Sequence, residues 1–337
     1  MAREKDILGV SNLLTDLETH AFDEDLIRWN LRKSDTIFLK PQELTFKDKL
    51  EIVKKVPGGS SANTIVCASH LCLTNDGLVN RNGLVGALGD DEIGDYYKKA
   101  TLFTKHNGKD IAYIIDYITS IENGESGYCL ILVSPDGERT QLPQLGVAPD
   151  FQIPLNKMGN FKYVHLTGYE VIANEPAIMK AIEYAYKNGV KISFDLAEHN
   201  IVKNNPKTFR EIGKKSEIMT GNEFEAKSYI GLDPVKDPEE YNSVDPRYVI
   251  EEMSGHGKVV IMKRGENGSL IKITDGPIIE IPVHSANIVS TTGAGDAYHG
   301  GFLYGIINGY TIEQAGQLGS ELGARCCEVY GGRINSC

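Results

Sequence analysis

Apolar and polar positions divide the chain into stretches of different rhythm. From residue 161 onward, short apolar runs alternate with longer segments of helical spacing. "KYVHLTGY" (162–169) reads as a strand. "EPAIMKAIEYAYKNG" (175–189) repeats apolar residues at helical intervals and stops at Gly189. "VKISFDLA", "EIMTGNEFEA" and "KVVIMKRG" read as further strands, and "SLIKITDG" with "PIIEIPV" as a hairpin. Two helices, "AYHGGFLYGIINGY" and "TIEQAGQLGSELGARCCEVYG", follow. This alternation predicts an α/β fold: a central, mostly parallel sheet with helices on both faces. Functional residues then belong at the C-terminal ends of the strands, where Asp195, Asn222, Gly265 and Asp296 fall.

The first half is less regular. Ile7 to Val10 fits a core strand, "TIVCASHLCL" a helix, "GLVGALG" a buried strand and "DDEIGDYYKKA" a surface helix. "DTIFLK" and "LEIVKKV" read as strands. Between 111 and 145, "IAYIIDYIT", "GYCLILVS" and "RTQLPQLG" read as antiparallel strands, with a hairpin turn at Pro135-Asp136-Gly137. A small separate sheet that packs against or hinges over the main one is expected there. No repeat or long linker interrupts residues 1–337, which read as one domain.

Composition narrows the classes. The formal net charge of -11 argues against non-specific binding to nucleic acid or to an anionic membrane surface. No run approaches the roughly 18 apolar residues of a membrane span, and no signal core follows Met1, so a cytoplasmic protein is expected. Its six cysteines show no Cys-x-x-Cys and are expected to be reduced.

The chemistry concentrates in "STTGAGDAYHGGF" (290–302). Gly293, Ala294 and Gly295 open a helix, where unpaired backbone N–H groups can meet an anion closely. Asp296 beside them would repel a phosphate that was merely held. It fits a base that deprotonates a hydroxyl while the amides hold the group attacked. The plainer alternative is an acid that favours the helix dipole. Neither a Walker loop nor a Gly-x-Gly-x-x-Gly fingerprint is present, which weakens hydride transfer.

"STTGAGDAYHGGF" resembles the C-terminal signature of the ribokinase-like (pfkB) carbohydrate and nucleoside kinases. "PGGSSANT" (57–64) resembles that family's N-terminal glycine motif, "GNEFE" (221–225) its Asn-x-x-Glu element, and "KRGENGS" (263–269) its Gly-x-x-Gly loop. The four occur in family order across nearly the whole chain. The resemblance implies a β lid from about 16–56 and 110–145, and ATP-dependent phosphorylation of a primary hydroxyl. It implies Asp296 as base and the amides of Gly293, Ala294 and Gly295 as anion hole. Asn12, Asp16, Gly58, Gly59 and Asn63 would meet acceptor hydroxyls. Asn222 and Glu225 would organise Mg²⁺ largely through water, and Gly265 and Gly268 would let the loop approach ATP. Two features depart from the pattern. Ser290 stands where members often have an Asp that helps hold a monovalent cation, which weakens the inference of K⁺ activation. Lys263 and Arg264 replace Thr and an apolar residue, as phosphate contacts or as surface charges. "GVSNLLTDLETH" and "SPDGERTQLPQLG" resemble the adenosine-kinase-like bacterial branch, with adenosine as the leading acceptor. Leu14, Phe38, Leu39 and Leu130 would furnish a purine slot. The alternatives are a free-sugar kinase and a non-catalytic sugar- or nucleoside-binding protein. A monomer and a lid-mediated homodimer are both compatible with the resemblance.

Overall fold

The computed structural model describes residues 3–333 except 34, 35, 38, 41, 42, 107, 108, 235, 237 and 330. The chain begins with β1 (Lys5–Val10), β2 (Leu14–His20), α1 (Asp23–Arg28), β3 (Lys54–Pro57) and α2 (Ser60–Asp76). Next come β4 (Gly83–Gly89), α3 (Glu92–Leu102), β5 (Phe103–His106), β6 (Lys109–Ala112) and β7 (Ile115–Ile121). β8 (Gly127–Val133), β9 (Arg139–Gln144), α4 (Leu155–Met158), β10 (Phe161–Thr167), α5 (Gly168–Ala173) and α6 (Glu175–Lys187) follow. The alternating half continues with β11 (Lys191–Asp195), α7 (His199–Asn204), α8 (Pro206–Lys215), β12 (Ile218–Asn222) and α9 (Glu223–Ile230). It ends with α10 (Pro238–Ser243), α11 (Pro246–Ser254), β13 (Val259–Lys263), β14 (Ser269–Ile273), β15 (Ile278–Ile281), α12 (Ala294–Ile307) and α13 (Ile312–Cys327).

Nine strands form the main sheet in the order β15-β14-β13-β12-β11-β10-β1-β4-β7. β7 through β13 pair parallel, and β14 and β15 add an antiparallel edge. Alternate side chains feed two cores. On β13, Val260 and Met262 join the core with Phe194 and Phe209, while Ile261 joins Ile65 and Phe302 of α2 and α12. Helices therefore cover both faces, as the sequence rhythm predicts.

A second sheet of four strands runs β3-β2-β8-β9. β2 pairs parallel with β8 and antiparallel with β3, and β8 pairs antiparallel with β9. The expected hairpin at 135–137 is present, with Gly137 at φ 87. This sheet is smaller than expected. "IAYIIDYIT" contributes β7, which pairs with β4 and extends the main sheet. An edge strand half open to solvent shows the same alternation as a lid strand, so pattern alone does not separate them. "LEIVKKV" yields a strand only over Lys54–Pro57. Of "DTIFLK", the described part holds one bridge, Thr36 to Gln141. The small sheet has its own core of Leu17, Leu26, Leu130, Leu132 and Leu142, with Trp29 stacked on Phe46 at 4.1 Å. The five described cysteines carry free thiols, and Cys337 lies outside the described residues.

α2 and α12 cross at very short range. A Cβ on Gly300 would lie 2.7 Å from the Thr64 carbonyl oxygen and 2.9 Å from Cys67 Cβ. Gly300→Val should therefore push the helices apart, costing about 1–3 kcal/mol and lowering turnover together. Urea unfolding and steady-state kinetics of the one variant check both.

Candidate active site

The strand ends, the small sheet and the starts of α2 and α12 surround one cleft of about 920 Å³. Asn12, Asp16, Gly59, Asn63 and Asp296 line one part of it, with Gly293, Ala294 and Gly295 beside them. Asn222, Glu225, Lys263, Gly265 and Gly268 line another. Of the residues expected to carry catalysis or to meet acceptor, nucleotide or Mg²⁺, Gly58 is the one absent from the described wall. Its carbonyl accepts from Tyr97 Oη at 2.6 Å, and a Cβ there would sit 2.8 Å from Asp16 Oδ1. Gly58 makes room for the Asp16 carboxylate.

The helix that carries Asp296 starts from Gly293, at φ 77, a conformation that glycine adopts without strain. No side chain fits there, because a Cβ would fall 2.3 Å from the Gly332 Cα. The Ala294 N–H donates to the Thr291 carbonyl at 3.3 Å. Among the described residues no backbone acceptor pairs with the Gly293 or Gly295 N–H. The Asp296 N–H likewise has no backbone acceptor among the described residues, and the Ala294 amide is partly committed.

Both oxygens of Asp296 are held by α2. Ser60 Oγ donates to Oδ1 at 2.7 Å and Asn63 Nδ2 to Oδ2 at 2.9 Å. Burial pushes the Asp296 carboxyl up to about 6, against the lowering effect of these two bonds and of Lys263. At neutral pH it is ionised and only modestly basic. Asn63 Oδ1 also accepts from Arg333 at 2.8 Å, so each polar atom of its amide has one partner in the protein. It lines the cleft where an acceptor hydroxyl was expected to meet it, and its amide also holds Asp296.

Asp16 projects from the cleft face of β2, while Leu17 turns into the core of the small sheet. Burial raises its carboxyl to about 7, although Arg333 opposes the shift. Asn12 is fixed from two sides: its N–H donates to Glu170 Oε1 at 2.9 Å and its Nδ2 to the Tyr169 carbonyl at 3.1 Å. Its buried Oδ1 has no partner in the protein. Of the residues expected to form a slot, Leu14 lines the cleft. Leu130 points into the core of the small sheet and its neighbour Cys129 takes the cleft side. Leu39 packs on that same core, and Phe38 lies outside the described residues.

At the other end, Asn222 and Glu225 form a reciprocal cap on α9. The Asn222 N–H and Nδ2 donate to Glu225 at 2.7 and 2.6 Å, and Asn222 Oδ1 accepts from the Glu225 N–H at 2.9 Å. Burial, helped by Asp195, raises the Glu225 carboxyl to about 7. Lys263 Nζ bonds Asp195 Oδ2 at 2.9 Å, and a Cβ on Gly295 would lie 3.0 Å from that nitrogen. Burial alone would raise Asp195, but Lys263 and His299 outweigh it and hold the carboxyl well below the usual range. Arg264 turns away to Glu223 at 3.6 Å. His299 is fully buried, its Nε2 2.6 Å from Ser193 Oγ, and does not line the cleft. Arg139 of β9 ties the small sheet to the loop, bonding Thr292 Oγ1 at 3.0 Å and Glu18 at 2.9 Å.

Three contributors escaped the sequence reading. Glu170 is the N3 residue of a capping box that begins at Thr167, a signal legible as Thr-x-x-Glu. Ser60 follows the glycines of the first motif without a spacing that marks it. Arg333 had no signal at all.

A glycine-opened helix carrying a half-buried carboxylate packs directly on a second glycine-opened helix at the strand-end cleft, an arrangement suited to phosphoryl transfer. The model of the pfkB family carbohydrate kinases matches residues 27–336, and the chain belongs to that family. It is 24% identical to the 5-dehydro-2-deoxygluconokinase of Geobacillus thermodenitrificans, over 79% of this chain and 77% of that one. It is 22% identical to adenosine kinase 2 of Arabidopsis thaliana, over 93% of this chain and 91% of that one. The solved adenosine kinase of Sinorhizobium meliloti superposes with a TM-score of 0.82 at 19% identity, covering 98% of this chain and 96% of that one. The protein is therefore a kinase, and its family implies ATP as phosphoryl donor.

The Lys263–Asp195 pair is buried enough to test directly. Lys263→Met should destabilise the fold by about 3–5 kcal/mol, because an uncompensated carboxylate remains. Adding Asp195→Asn should recover part of the loss in urea unfolding.

Proposed function

We propose that this kinase transfers the γ-phosphoryl group of ATP to the primary hydroxyl of a neutral ribonucleoside or sugar, with adenosine as the leading acceptor. The observation that carries the reading is the Asp296 carboxylate, ionised near neutrality and fixed by Ser60 and Asn63 beside the free N–H groups of Gly293 and Gly295. An acceptor hydroxyl seated there gives its proton to Asp296 while its oxygen attacks phosphorus. The two N–H groups and Lys263 meet the charge on the transferred group. Asp16 and the unpartnered Asn12 Oδ1 accept from the acceptor's other hydroxyls. Val283, Ala286, Ile288 and Ala324 give the far part of the cleft the apolar walls that an adenine ring needs.

The donor set fits Mg²⁺ that arrives with the nucleotide. Among the described residues no group of three or more His, Cys, Asp or Glu is placed to hold a metal directly. Asn222 and Glu225 bond each other and would hold the ion through its waters. Bound there, Mg²⁺ would neutralise charge on the phosphates. Ser290 Oγ accepts from the Thr292 N–H at 3.3 Å and supplies no anionic ligand for K⁺.

A neutral acceptor is favoured by charge. Lys263 is the single Lys or Arg among the described residues lining the cleft, and it is already paired with Asp195. An anionic acceptor would meet Asp16 with no cation lining the wall beside it. Leu14, Pro143, Leu145 and Ile172 offer apolar surface there, with Gln141 and Thr36 as polar points that can read a base edge. Among the described residues no helix is long and apolar enough to cross a membrane.

Incubation with MgATP and a panel of adenosine, inosine, ribose and fructose, followed by ADP release, tests the reading. Turnover is expected with adenosine. Turnover of ribose or fructose without adenosine would favour the free-sugar kinase, and no ADP above background from folded protein would remove the proposal. Asp296→Asn should lower kcat by about 10²–10⁴ with little change in ATP KM. A base must be ionised to accept a proton, so kcat should also decline as pH falls through the Asp296 value of about 6. A flat profile from pH 5 to 8 argues against this base.

A further inference from the structure

Arg333 lies beyond α13 and belongs to none of the motifs read from the sequence. Its side chain nevertheless reaches the centre of the site and is buried, at 3% exposure. Nε donates to Asn63 Oδ1 at 2.8 Å, and Nη1 to Thr101 Oγ1 at 2.7 Å. Nη2 donates to the Gly58 carbonyl at 3.1 Å and to Tyr97 Oη at 2.9 Å. All four partners are neutral. Gly332, the preceding residue, wedges between the two halves of the site: Cβ atoms built on Gly293 and Gly332 would lie 2.3 Å from Gly332 Cα and 2.7 Å from Asn63 Nδ2.

The Asn63 amide thus stands between a guanidinium and a carboxylate. A guanidinium only donates and an ionised carboxylate only accepts. The amide between them has one satisfied orientation, Oδ1 toward Arg333 and Nδ2 toward Asp296. Without the guanidinium, rotation of the amide would set Oδ1 against the carboxylate at no cost on its other side.

We infer that Arg333 is a positioning residue for phosphoryl transfer, acting through Asn63 to fix the donor that orients the Asp296 carboxylate. The inference rests on the reading of Asp296 as the base. Asp296 also faces Ser60 of α2, Asp195 at the end of β11 and Lys263 at the end of β13. Asp16 of β2, Tyr169 of α5 and Cys326 of α13 face it as well. None of these contacts replaces the Asn63 donor.

The test is a double-mutant cycle of Arg333→Met and Asn63→Ala, measured with MgATP and the acceptor that the panel identifies. Arg333→Met alone should lower kcat roughly 10–100-fold and leave ATP KM within about threefold. The acid limb of the kcat profile should move to higher pH, because the bond that lowers Asp296 loses its fixed geometry. In the Asn63→Ala background, Arg333→Met should cost less than about threefold in kcat. Arg333 also faces Asp16, and an effect carried by that route would persist undiminished when Asn63 is already alanine. That outcome overturns the inference. A lower melting temperature with kcat and its acid limb unmoved overturns it too. Should Arg333→Met not fold, Arg333→Lys keeps the charge but not the forked geometry and is read by the same criteria. Asp296→Asn separates the two levels: normal turnover in that variant removes the base itself, whatever Arg333 does.

Discussion

Two hydrogen bonds from α2 to the Asp296 carboxylate join residues 236 and 233 positions apart in the chain. The rest of the site is arranged around them. A carboxylate withdrawn from water without partners costs several kcal/mol, and Asp296 is partly withdrawn. Each charge-assisted bond returns about 1.5–3 kcal/mol, so the pair offsets much of that cost. The acid is thereby kept ionised near neutrality, yet basic enough to take a proton. Both partners lie in the first turns of helices that begin at a left-handed glycine, Gly59 at φ 93 and Gly293 at φ 77. Both helices can approach this closely because glycines such as Gly300 remove the side chains between them.

The small sheet is bound to the same centre through the chain itself. β1 ends beside Asn12, and β2 starts two residues later and carries Asp16 over the cleft. The Gly58 N–H closes that connection on the Leu14 carbonyl at 2.7 Å, so the entry to α2 and the entry to the small sheet share one bond. Arg139 adds a polar latch from β9 to Thr292. A shift of this sheet would therefore move Asp16 and the latch together, coupling the position of Asp16 to the loop that opens α12.

The glycine motifs were legible because few other constraints demand small residues just before a helix. The strand-end acids were legible because the helical and strand rhythms located the ends. What escaped was set by tertiary partners. Arg333 joins Asn63 across 270 positions, and no local period anticipates such a contact. The commitment of Asn63 to Asp296 was hidden for the same reason: an Asn after two glycines looks equally suited to a sugar hydroxyl. β7 was misplaced because a half-exposed edge strand repeats with period two in either sheet. Leu130 was assigned to the wrong face because alternation fixes which residues share a side, not which side meets the cleft.

Charge in the cleft limits what can enter productively. Asp16, Glu170, Asp195, Glu225, Glu266 and Asp296 bring six carboxyl groups to its described wall, and Lys263 pairs with Asp195. Burial raises Asp16, Glu170, Glu225 and Asp296 toward neutrality, so these groups are already sensitive to each negative charge brought beside them. A bare polyphosphate entering such a wall is repelled over several ångströms, whereas one that carries a divalent cation is not. The same field works at the acceptor end, where Asp16 rewards hydroxyl donors and penalises anions. On the proposed reading, one arrangement of carboxylates would favour a metal-neutralised nucleotide on one side and a neutral polyol or nucleoside on the other. On that reading Asp296 stands between them, held by Ser60 and Asn63 where it would take the proton of the attacking hydroxyl.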